Sequence, residues 1–493
     1  MKNRAAIFFL LAGLLLAPFM PGNDSLWIDE AQTWNYADQP DAEAVFSRMK
    51  SDSNSEAQMP LGMLSAWAGA QVLGKSEWQM RAQNVLWIFA ALVCFFRIGR
   101  LVAIPILPLL LAIQPFTWYY VNEFRPYTLQ IFSGSLICWG FIALIVRGPR
   151  TKEWVFALLS GILLLCPTSM LGVIPSFVAV LIVAWHLYSQ KQRPDPSTWI
   201  CSLLAALSLV PLGLYYLSTL LRGTGGAKLW AVGAANLIGT IIEIVGFSGF
   251  LPSRQNLRDL IHHGISLANL SPLFPSLLGS FALFVVLGYL LIQAMLAERV
   301  FPTWCKACLG YFTFSFFGLV VLALAARFPF WGRHLAPAFP GFVLVLGFLL
   351  ARSWRTEAFI PRAMSVGCCS LLLFSSLNLR FDPLYSKDDY RSAAAEARKT
   401  VLINETVWWA ADKSTANYYG IFPVFAGEDG KVFHANNRDA DYLGRLPTPD
   451  VVLFSKEDVY DKHGALKKYL VDHGFSISNT FPAFTVWERK GRN

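Results

Sequence analysis

Charged residues are scarce in this chain. Asp, Glu, Lys and Arg make up 15% of its 493 residues, whereas soluble domains are usually about a quarter charged. Cysteine is missing from the long polar segments, because all eight cysteines lie in or beside apolar runs. The first shortage excludes an ordinary soluble globular protein, and the second gives no indication of a disulfide framework.

Apolar residues make up 55% of the chain, and apolar runs long enough to cross a bilayer recur along it. These runs predict a polytopic α-helical membrane protein with about eleven spans. The spans are expected near residues 5–21, 83–101, 102–120, 127–146, 154–168, 171–189, 199–219, 271–295, 306–326, 335–351 and 363–379.

The basic residues predict the orientation of these spans. Lys and Arg cluster at the N-terminus and in the loops near residues 97–100, 147–152, 191–193, 299–306 and 352–362. In this assignment all of these loops fall on one face, which is cytoplasmic by the positive-inside rule. The net charge of +9 is therefore explained by the membrane, and no nucleic acid is expected as a partner.

The opposite face of the inner (plasma) membrane receives the two long loops, 22–82 and 220–270. Each loop contains an apolar stretch, at 60–74 and 230–250, that polar residues and glycines interrupt. We expect both stretches to form interfacial helices, because counting either as a span would move the basic loops to the outer face.

The tail changes character after residue 380, where charged residues return and apolar runs shorten. Helices are expected from Asp388 to Lys399 and from Lys456 to His473. Short buried strands are expected at 407–410, 451–454 and 484–487. The sequence thus predicts a membrane-embedded catalytic domain over residues 1–380 and a small extracytoplasmic α/β domain over residues 381–493.

Two adjacent carboxylates, Asp29 and Glu30, lie just beyond the first apolar run, between Trp27 and Trp34. An acid that stays ionised in a partly water-excluded site is suited to accept a proton or to hold a cation. The alternative is a solvated loop beside an interfacial tryptophan.

Two further polar clusters lie on the outer face, where spans end. Glu123 and Arg125 occupy the junction between two spans, and Arg333 and His334 precede another span. A guanidinium suits phosphate because its fork donates two parallel hydrogen bonds. The alternatives are a local ion pair that closes a turn at Glu123 and Arg125, and anchoring of Arg333 and His334 to lipid headgroups.

Five segments taken in order resemble the membrane glycosyltransferases of the GT-C superfamily. They are Trp27–Ala31, Pro60–Leu61, Ser76–Arg81, Asn122–Tyr127 and Arg333–Pro337. The resemblance is to the branch of protein O-mannosyltransferase-like and rhizobial lipopolysaccharide transferase-like proteins, which is related to the aminoarabinose transferase of lipid A. The tail segment Asp388–Ala393 is similar to the start of that branch's soluble domain.

The resemblance implies a polyprenyl-phosphate-linked sugar as the donor and a lipid, glycan or protein as the acceptor. Asp29 would be the catalytic base toward an acceptor hydroxyl, and Glu30 would support it or help to bind a divalent metal cation. Glu123 matches a second catalytic acid. No other cofactor is implied.

For the remaining candidate residues the resemblance implies substrate binding. Arg125 would pair with Glu123 or contact phosphate, Tyr127 would belong to the same segment, and Arg333 and His334 would lie near the lipid phosphate. One departure concerns Pro60, since the paired prolines of the branch are reduced here to Met59-Pro60 with no basic residue in front.

The resemblance favours a single displacement with inversion at the sugar carbon. A retaining route, which needs a carboxylate nucleophile, stays open. The rival from another class is a glycolipid transporter or flippase, in which ionisable residues line a pathway inside the spans. In this sequence the spans are nearly free of such residues and the charges gather at one face, which favours an enzyme.

Overall fold

The computed structural model describes residues 2–222, 232–251, 271, 274–296 and 301–489, and it divides into two compact units. The helical unit comprises Met1–Gly22 and Gln39–Tyr385, and the C-terminal unit comprises Asn23–Asp38 and Ser386–Asn493. The division therefore differs from a single boundary at residue 380, because a segment of the predicted outer loop 22–82 packs with the tail.

Apolar contacts explain why the segment Asn23–Asp38 belongs to the C-terminal unit. Leu26 is fully buried, and Ile28 packs against the core of that unit. The rings of Trp34 and Tyr418 meet edge to face, with 5.3 Å between their centroids. Burial of apolar side chains is the main source of stability in such packing.

The helical unit contains the long apolar helices and several shorter ones. In chain order they are α1 (Lys2–Leu16), α3 (Ala42–Ser51), α4 (Pro60–Leu73), α5 (Glu77–Val102), α6 (Leu107–Ala112), α7 (Pro115–Val121), α8 (Tyr127–Arg147), α9 (Glu153–Thr168), α10 (Val173–Ser189), α11 (Pro196–Ser208), α12 (Val210–Arg222), α13 (Ala234–Val245), α14 (Phe274–Leu296), α15 (Thr303–Ala326), α16 (Phe339–Arg355) and α17 (Phe359–Phe381).

Within the described ranges, seven helical segments are long and apolar enough to cross a membrane. They are Glu77–Val102, Tyr127–Arg147, Met170–Ser189, Pro196–Arg222, Phe274–Gln293, Thr303–Ala326 and Phe359–Phe381. Arg4–Phe19, Glu153–Thr168 and Ala234–Val245 form shorter apolar helices. The chain is thus a multi-pass helical protein, and eleven remains a prediction for the number of spans.

The apolar run at 102–120, which was predicted to be a span, does not form one continuous helix. Ala103 has a left-handed backbone with φ of 57°, which ends α5, and the chain then forms two short helices, α6 and α7. Pro115 begins α7 and cannot donate the backbone hydrogen bond that a continuous helix would need.

The two apolar stretches expected to be interfacial are helical. The first is α4, and the second is α13, which is shorter than the stretch 230–250. Residues 223–231 and 252–270 of the predicted loop 220–270, and the basic residue Arg299, lie outside the described residues.

Tight packing positions the segment that follows α15. Gly134, in α8, lies directly against the backbone carbonyl of Pro337, so a methyl group on Gly134 would collide with main-chain atoms. Tyr311, in α15, donates a hydrogen bond to the same carbonyl at 3.1 Å. These two contacts fix the chain three residues after His334.

The C-terminal unit is built on a five-stranded mixed sheet. Its strands are β1 (Val407–Ala410), β2 (Val432–His434), β3 (Val451–Ser455), β4 (Phe475–Phe481) and β5 (Phe484–Arg489). Their order is β2-β1-β3-β5-β4; β2, β1 and β3 are parallel, and β5 pairs antiparallel with both β3 and β4.

Helices cover this sheet and connect its strands. They are α2 (Ile28–Ala37), α18 (Tyr390–Leu402), α19 (Lys413–Tyr418), α20 (Ala440–Arg445), α21 (Glu457–Tyr460) and α22 (Ala465–Asp472). The core beneath them includes Trp408 and Trp409, which are fully buried.

The small α/β domain expected from the sequence is present, with three differences in detail. The strands β2 and β4 had not been predicted. The single helix expected at 456–473 is wrong, because the chain forms α21 and α22 on either side of a turn. Gly464, at the end of that turn, has φ of 67°, which glycine adopts without strain.

Candidate functional site

The carboxylates Asp29 and Glu30 lie in the first turn of α2, which begins after Trp27. Glu30 accepts a hydrogen bond from the backbone N–H of Trp27 at 3.4 Å, so its side chain caps its own helix. Acidic side chains in a first turn also interact favourably with the helix dipole.

Glu30 is fully buried and pairs with Lys387, whose Nζ lies 3.1 Å from Oε2. A buried carboxylate without compensation would be costly, so this ammonium stabilises the ionised form. Sequence reasoning had missed Lys387. It follows Ser386 just before the quoted segment Asp388–Ala393, and a lone lysine there gives no signal of a partner so distant in sequence.

Asp29 is partly exposed, unlike its neighbour. Close to it lies Asp412, whose pKa is raised by burial and also by the negative charge of Asp29. Asp412 accepts hydrogen bonds from the backbone N–H and the hydroxyl of Thr415, at 2.7 and 2.8 Å. Asp29 therefore shares its surroundings with a second acid that the sequence analysis had not selected.

The segment before α2 is held by the C-terminal unit through polar contacts. The hydroxyl of Tyr419 accepts a hydrogen bond from the backbone N–H of Leu26 at 2.8 Å and lies 3.0 Å from Oγ of Ser25. Arg391 donates from its backbone to Ser25 at 3.1 Å and from its guanidinium to the carbonyl of Asn23 at 2.8 Å. The candidate base thus stands on an anchored segment.

A resident divalent cation does not fit the residues around Asp29 and Glu30. No group of three or more His, Cys, Asp or Glu side chains that could hold a metal ion occurs in the described part of the chain. Glu30 is already compensated by Lys387. We therefore derive no chemical step that depends on a metal.

In the helical unit, Glu123 and Arg125 lie in the turn between α7 and α8, and both are buried. Nδ2 of Asn84, in α5, donates to the carbonyl of Glu123 at 2.6 Å and to that of Val121 at 3.1 Å. The backbone N–H of Arg125 reaches the same carbonyl of Glu123 at 2.7 Å. The turn is therefore fixed from two sides.

The guanidinium of Arg125 forms a buried ion pair with Glu56, at 2.7 Å, and both side chains are about 5% exposed. Glu56 belongs to a short 3-10 helix, Ser55–Gln58, just before α4. The stretch in front of Pro60 has no basic residue immediately before the proline. It provides instead an acid, Glu56, that pairs with Arg125. Nothing in the local sequence pattern had indicated Glu56.

Tyr127 packs against Tyr120 edge to face, with 4.9 Å between the ring centroids. The hydroxyl of Tyr120 lies 3.4 Å from a carboxylate oxygen of Glu243 and within electrostatic range of Glu123. Glu243 comes from α13 and is a third acid missed by sequence reasoning, after Asp412 and Glu56. Its signal was present, since it is a lone carboxylate in an apolar stretch.

Arg333 and His334 lie in the 3-10 turn Gly332–Leu335. The carboxylate of Glu243 lies directly against Gly332, at the start of this turn. Tyr120 and Glu243 thereby link the Glu123 region to the Arg333 region, so two of the three predicted clusters come together within the helical unit. Asp29 and Glu30, the third, belong to the C-terminal unit.

His334 is partly buried between the rings of Phe328 and Phe330, each 5.6 Å away by ring centroid. Burial, helped by the charge of Arg333, lowers the pKa of His334 to about 3. Its Nδ1 accepts a hydrogen bond from the backbone N–H of Trp331 at 3.1 Å. At neutral pH His334 is uncharged, and Arg333 supplies the positive charge of the pair.

Comparison with solved structures identifies the fold. The chain is similar to ArnT from Cupriavidus metallidurans in the apo state, with a TM-score of 0.55 and 13% identity over 98% of this chain and 97% of ArnT. Its similarity to the same protein bound to undecaprenyl phosphate has a TM-score of 0.52 and 13% identity, over 99% and 98% of the two chains. No protein-family model and no curated protein matches the sequence.

The similarity over nearly the whole length shows that this chain has the fold of ArnT. The fold expected from the sequence resemblance is thereby confirmed. With the seven apolar helices, it makes the chain a multi-pass membrane protein with a small C-terminal sheet domain.

Proposed function

We propose that this chain is a membrane glycosyltransferase that moves a sugar from a polyprenyl-phosphate donor to a lipid, glycan or protein acceptor. The observation that supports it most is the likeness, over 99% of the chain, to ArnT bound to undecaprenyl phosphate. The basic loops support a place in the inner membrane with the C-terminal unit on its outer face.

The proposed reaction is a single displacement at the anomeric carbon. Asp29 accepts the proton of the acceptor hydroxyl as the new bond from oxygen to carbon forms. The bond from carbon to the phosphate oxygen breaks, and its electron pair leaves with the polyprenyl phosphate. The configuration of the sugar carbon is inverted.

Asp29 is the better candidate for the base because Glu30 has another task. Glu30 is buried, caps α2 and balances Lys387. Asp29 is partly exposed, so an acceptor hydroxyl can reach it.

The donor phosphate is assigned to Arg333. It is partly exposed, and because its neighbour His334 is neutral, Arg333 supplies the positive charge of the pair. Arg125 is buried with Glu56 and acts by holding the turn that presents Glu123 and Tyr127. A preorganised arginine stabilises the charge that develops on a leaving phosphate.

The test is a transfer assay on the purified protein with a panel of polyprenyl-phosphate sugars and candidate acceptors. We expect glycosylated product and free polyprenyl phosphate in equal amounts. A transporter would move the glycolipid between vesicle leaflets without releasing the free lipid phosphate. Movement without release would reject the proposal.

The Asp29→Asn variant tests the base. It keeps the size of the side chain but removes the proton acceptor, so the turnover rate should fall on the order of a hundred- to ten-thousand-fold. Binding of the donor, measured by photo-crosslinking, should persist. Asn35→Asp, in the same helix, is a control for a change of charge at α2. Near-normal turnover in Asp29→Asn would show that Asp29 is not the base.

A further inference from the structure

The C-terminal unit has an edge at which three parallel strands end together. β2, β1 and β3 lie side by side and run in the same direction, so their carboxyl ends share one edge of the sheet. Ligands of α/β sheets commonly bind outside these ends. Lys413 follows β1 at this edge, and the loop from His434 to Arg438 follows β2.

Positively charged and donor side chains at this edge gather around one ring. Nζ of Lys413 lies 4.5 Å from the centroid of Phe425, and Cζ of Arg438 lies 5.4 Å from it. The imidazole of His434 meets the same ring edge to face at 5.4 Å. We call Lys413, His434 and Arg438, which contact Phe425, together with Asn436 of the same loop, the edge cluster.

The carboxylate of Glu428 lies at the edge cluster, where it accepts a hydrogen bond from the backbone N–H of Phe425 at 2.8 Å, but it forms no ion pair with the cluster. Among the residues that the structure describes, no carboxylate lies within 4.0 Å of the charged nitrogens of Lys413 or Arg438. Burial and the charges of Arg438 and Lys413 lower the pKa of His434 to about 4. Two cations are thus held at the same ring, where an anion would relieve the repulsion between them.

Three buried polar atoms of the edge cluster lack a hydrogen-bond partner within the described ranges. They are Nδ1 of His434, Oδ1 of Asn436 and Nε of Arg438. Buried polar atoms are normally satisfied, and Nε of Arg438 is a donor, which an anion would satisfy.

The loop that carries these atoms is rigid. The backbone N–H of Ala435 donates to the carbonyl of Trp409 at 3.0 Å, and that of Asn437 donates to Tyr460 at 2.8 Å. The side chain of Asn437 donates to the carbonyl of Val459 at 2.8 Å. A ligand would meet groups that are already in place.

We propose that Lys413 and Arg438 bind an anionic group, a phosphate or a carboxylate, on the acceptor. That the anionic ligand is the acceptor rests on the proposed function. Lys413 directly follows Asp412, which lies close to Asp29. An acceptor held by its anion at the edge cluster would be bound beside the candidate base.

Residue-resolved acetylation of the full-length protein in detergent tests the site. A water-soluble amine acetylating reagent modifies lysines, and mass spectrometry gives the rate at each. Inorganic phosphate and acetate are the probes, with chloride at equal ionic strength as the control. We expect phosphate or acetate to slow acetylation of Lys413, and to leave the exposed Lys431 unchanged.

Two arginine variants provide the matched comparison. Arg438→Gln removes a charge-assisted contact, so the concentration that half-protects Lys413 should rise about tenfold. Arg489→Gln removes the same charge from an exposed position at the opposite end of the sheet and should leave that concentration unchanged. A thermal midpoint for each variant confirms that the unit is folded. Stronger protection by phosphate indicates a phosphorylated acceptor, and stronger protection by acetate a carboxylated one.

Equal protection by chloride, no protection at Lys413, or unchanged protection in folded Arg438→Gln would overturn the proposal and leave the edge cluster as a set of stabilising cation–π contacts. Failure of the proposed function is seen separately. Protection does not depend on turnover, so it should persist in Asp29→Asn. A protein that transfers no sugar yet shows protection retains the anion site and loses the enzymatic assignment.

Discussion

At the scale of single residues, neighbours in the sequence have different surroundings and therefore different tasks. Glu30 is buried and ion-paired, whereas Asp29 is partly exposed and faces another acid. Arg333 and His334 differ in the same way, since His334 is packed between two rings and Arg333 keeps its charge. Adjacent residues in the sequence are candidates for the same role, and their different burial in the structure distinguishes them.

Arg333→Lys tests the proposed phosphate contact. The substitution retains the positive charge but loses the planar fork, so we expect the KM for the donor to rise and the thermal midpoint to stay constant. Arg352→Lys, in a helix of the same unit, is the matched control. Unchanged donor kinetics in Arg333→Lys would favour the anchoring of Arg333 to lipid headgroups.

His334 makes the stability of the protein depend on pH. Its folded pKa of about 3 lies below the ordinary value of 6.5, so on acidification the unfolded chain takes up a proton first. The contribution of neutral His334 to stability is complete above about pH 6.5 and declines as the pH falls toward 3.

The measurement compares thermal midpoints at pH 7 and pH 5. The wild-type midpoint should fall by more than that of His334→Gln, because glutamine cannot titrate. His434, whose pKa is also lowered, contributes equally to both proteins and cancels in the comparison. Equal falls in the two proteins would contradict the burial of His334 as a neutral ring.

At the scale of helices and strands, close contacts of small residues fix the turn that bears Arg333. Gly134→Ala should lower the stability by about 1–3 kcal/mol, since the carbonyl of Pro337 cannot move away without disturbing α16. Gly213→Ala is the matched control, because no atom lies within 4 Å of its added methyl. Alanine there should be neutral or stabilising by about 0.5–1 kcal/mol. Equal thermal midpoints for the two variants would show that the backbone at Pro337 can shift to accommodate the added methyl group.

The pattern of apolar residues predicted most helices and strands correctly. It failed where an element is very short or where the backbone conformation of a single residue ends a helix. The strands β1, β3 and β5 stand out as compact apolar runs, and they are present. The strand β2 has three residues, too few for a periodic pattern, and the break between α6 and α7 depends on a left-handed residue that apolar content does not reveal. Glu56 and Lys387 pair with residues far away in sequence, so no local pattern could have identified them.

At the scale of the whole molecule, the C-terminal unit is built from two separate parts of the chain. Expressed alone, residues 386–493 would lack α2 and the contacts that Leu26 and Trp34 make. Addition of a peptide of residues 23–38 should therefore raise the thermal midpoint of that fragment. A peptide in which Leu26 is replaced by Asp should have no effect, and equal midpoints with and without the native peptide would show that α2 contributes no stability.

Because the C-terminal unit is built from two separate parts of the chain, it can be completed only late in biosynthesis. The segment 23–38 leaves the ribosome early, but its partners follow only after residues 39–385 have been made. At ordinary rates of translation this delay is on the order of tens of seconds. Throughout that interval Glu30 has no Lys387, and Asp29 stands on an unanchored segment. A truncated or stalled chain would therefore insert its helices while the segment of the candidate base is still unanchored, so the proposed transfer would begin only after the tail has been made.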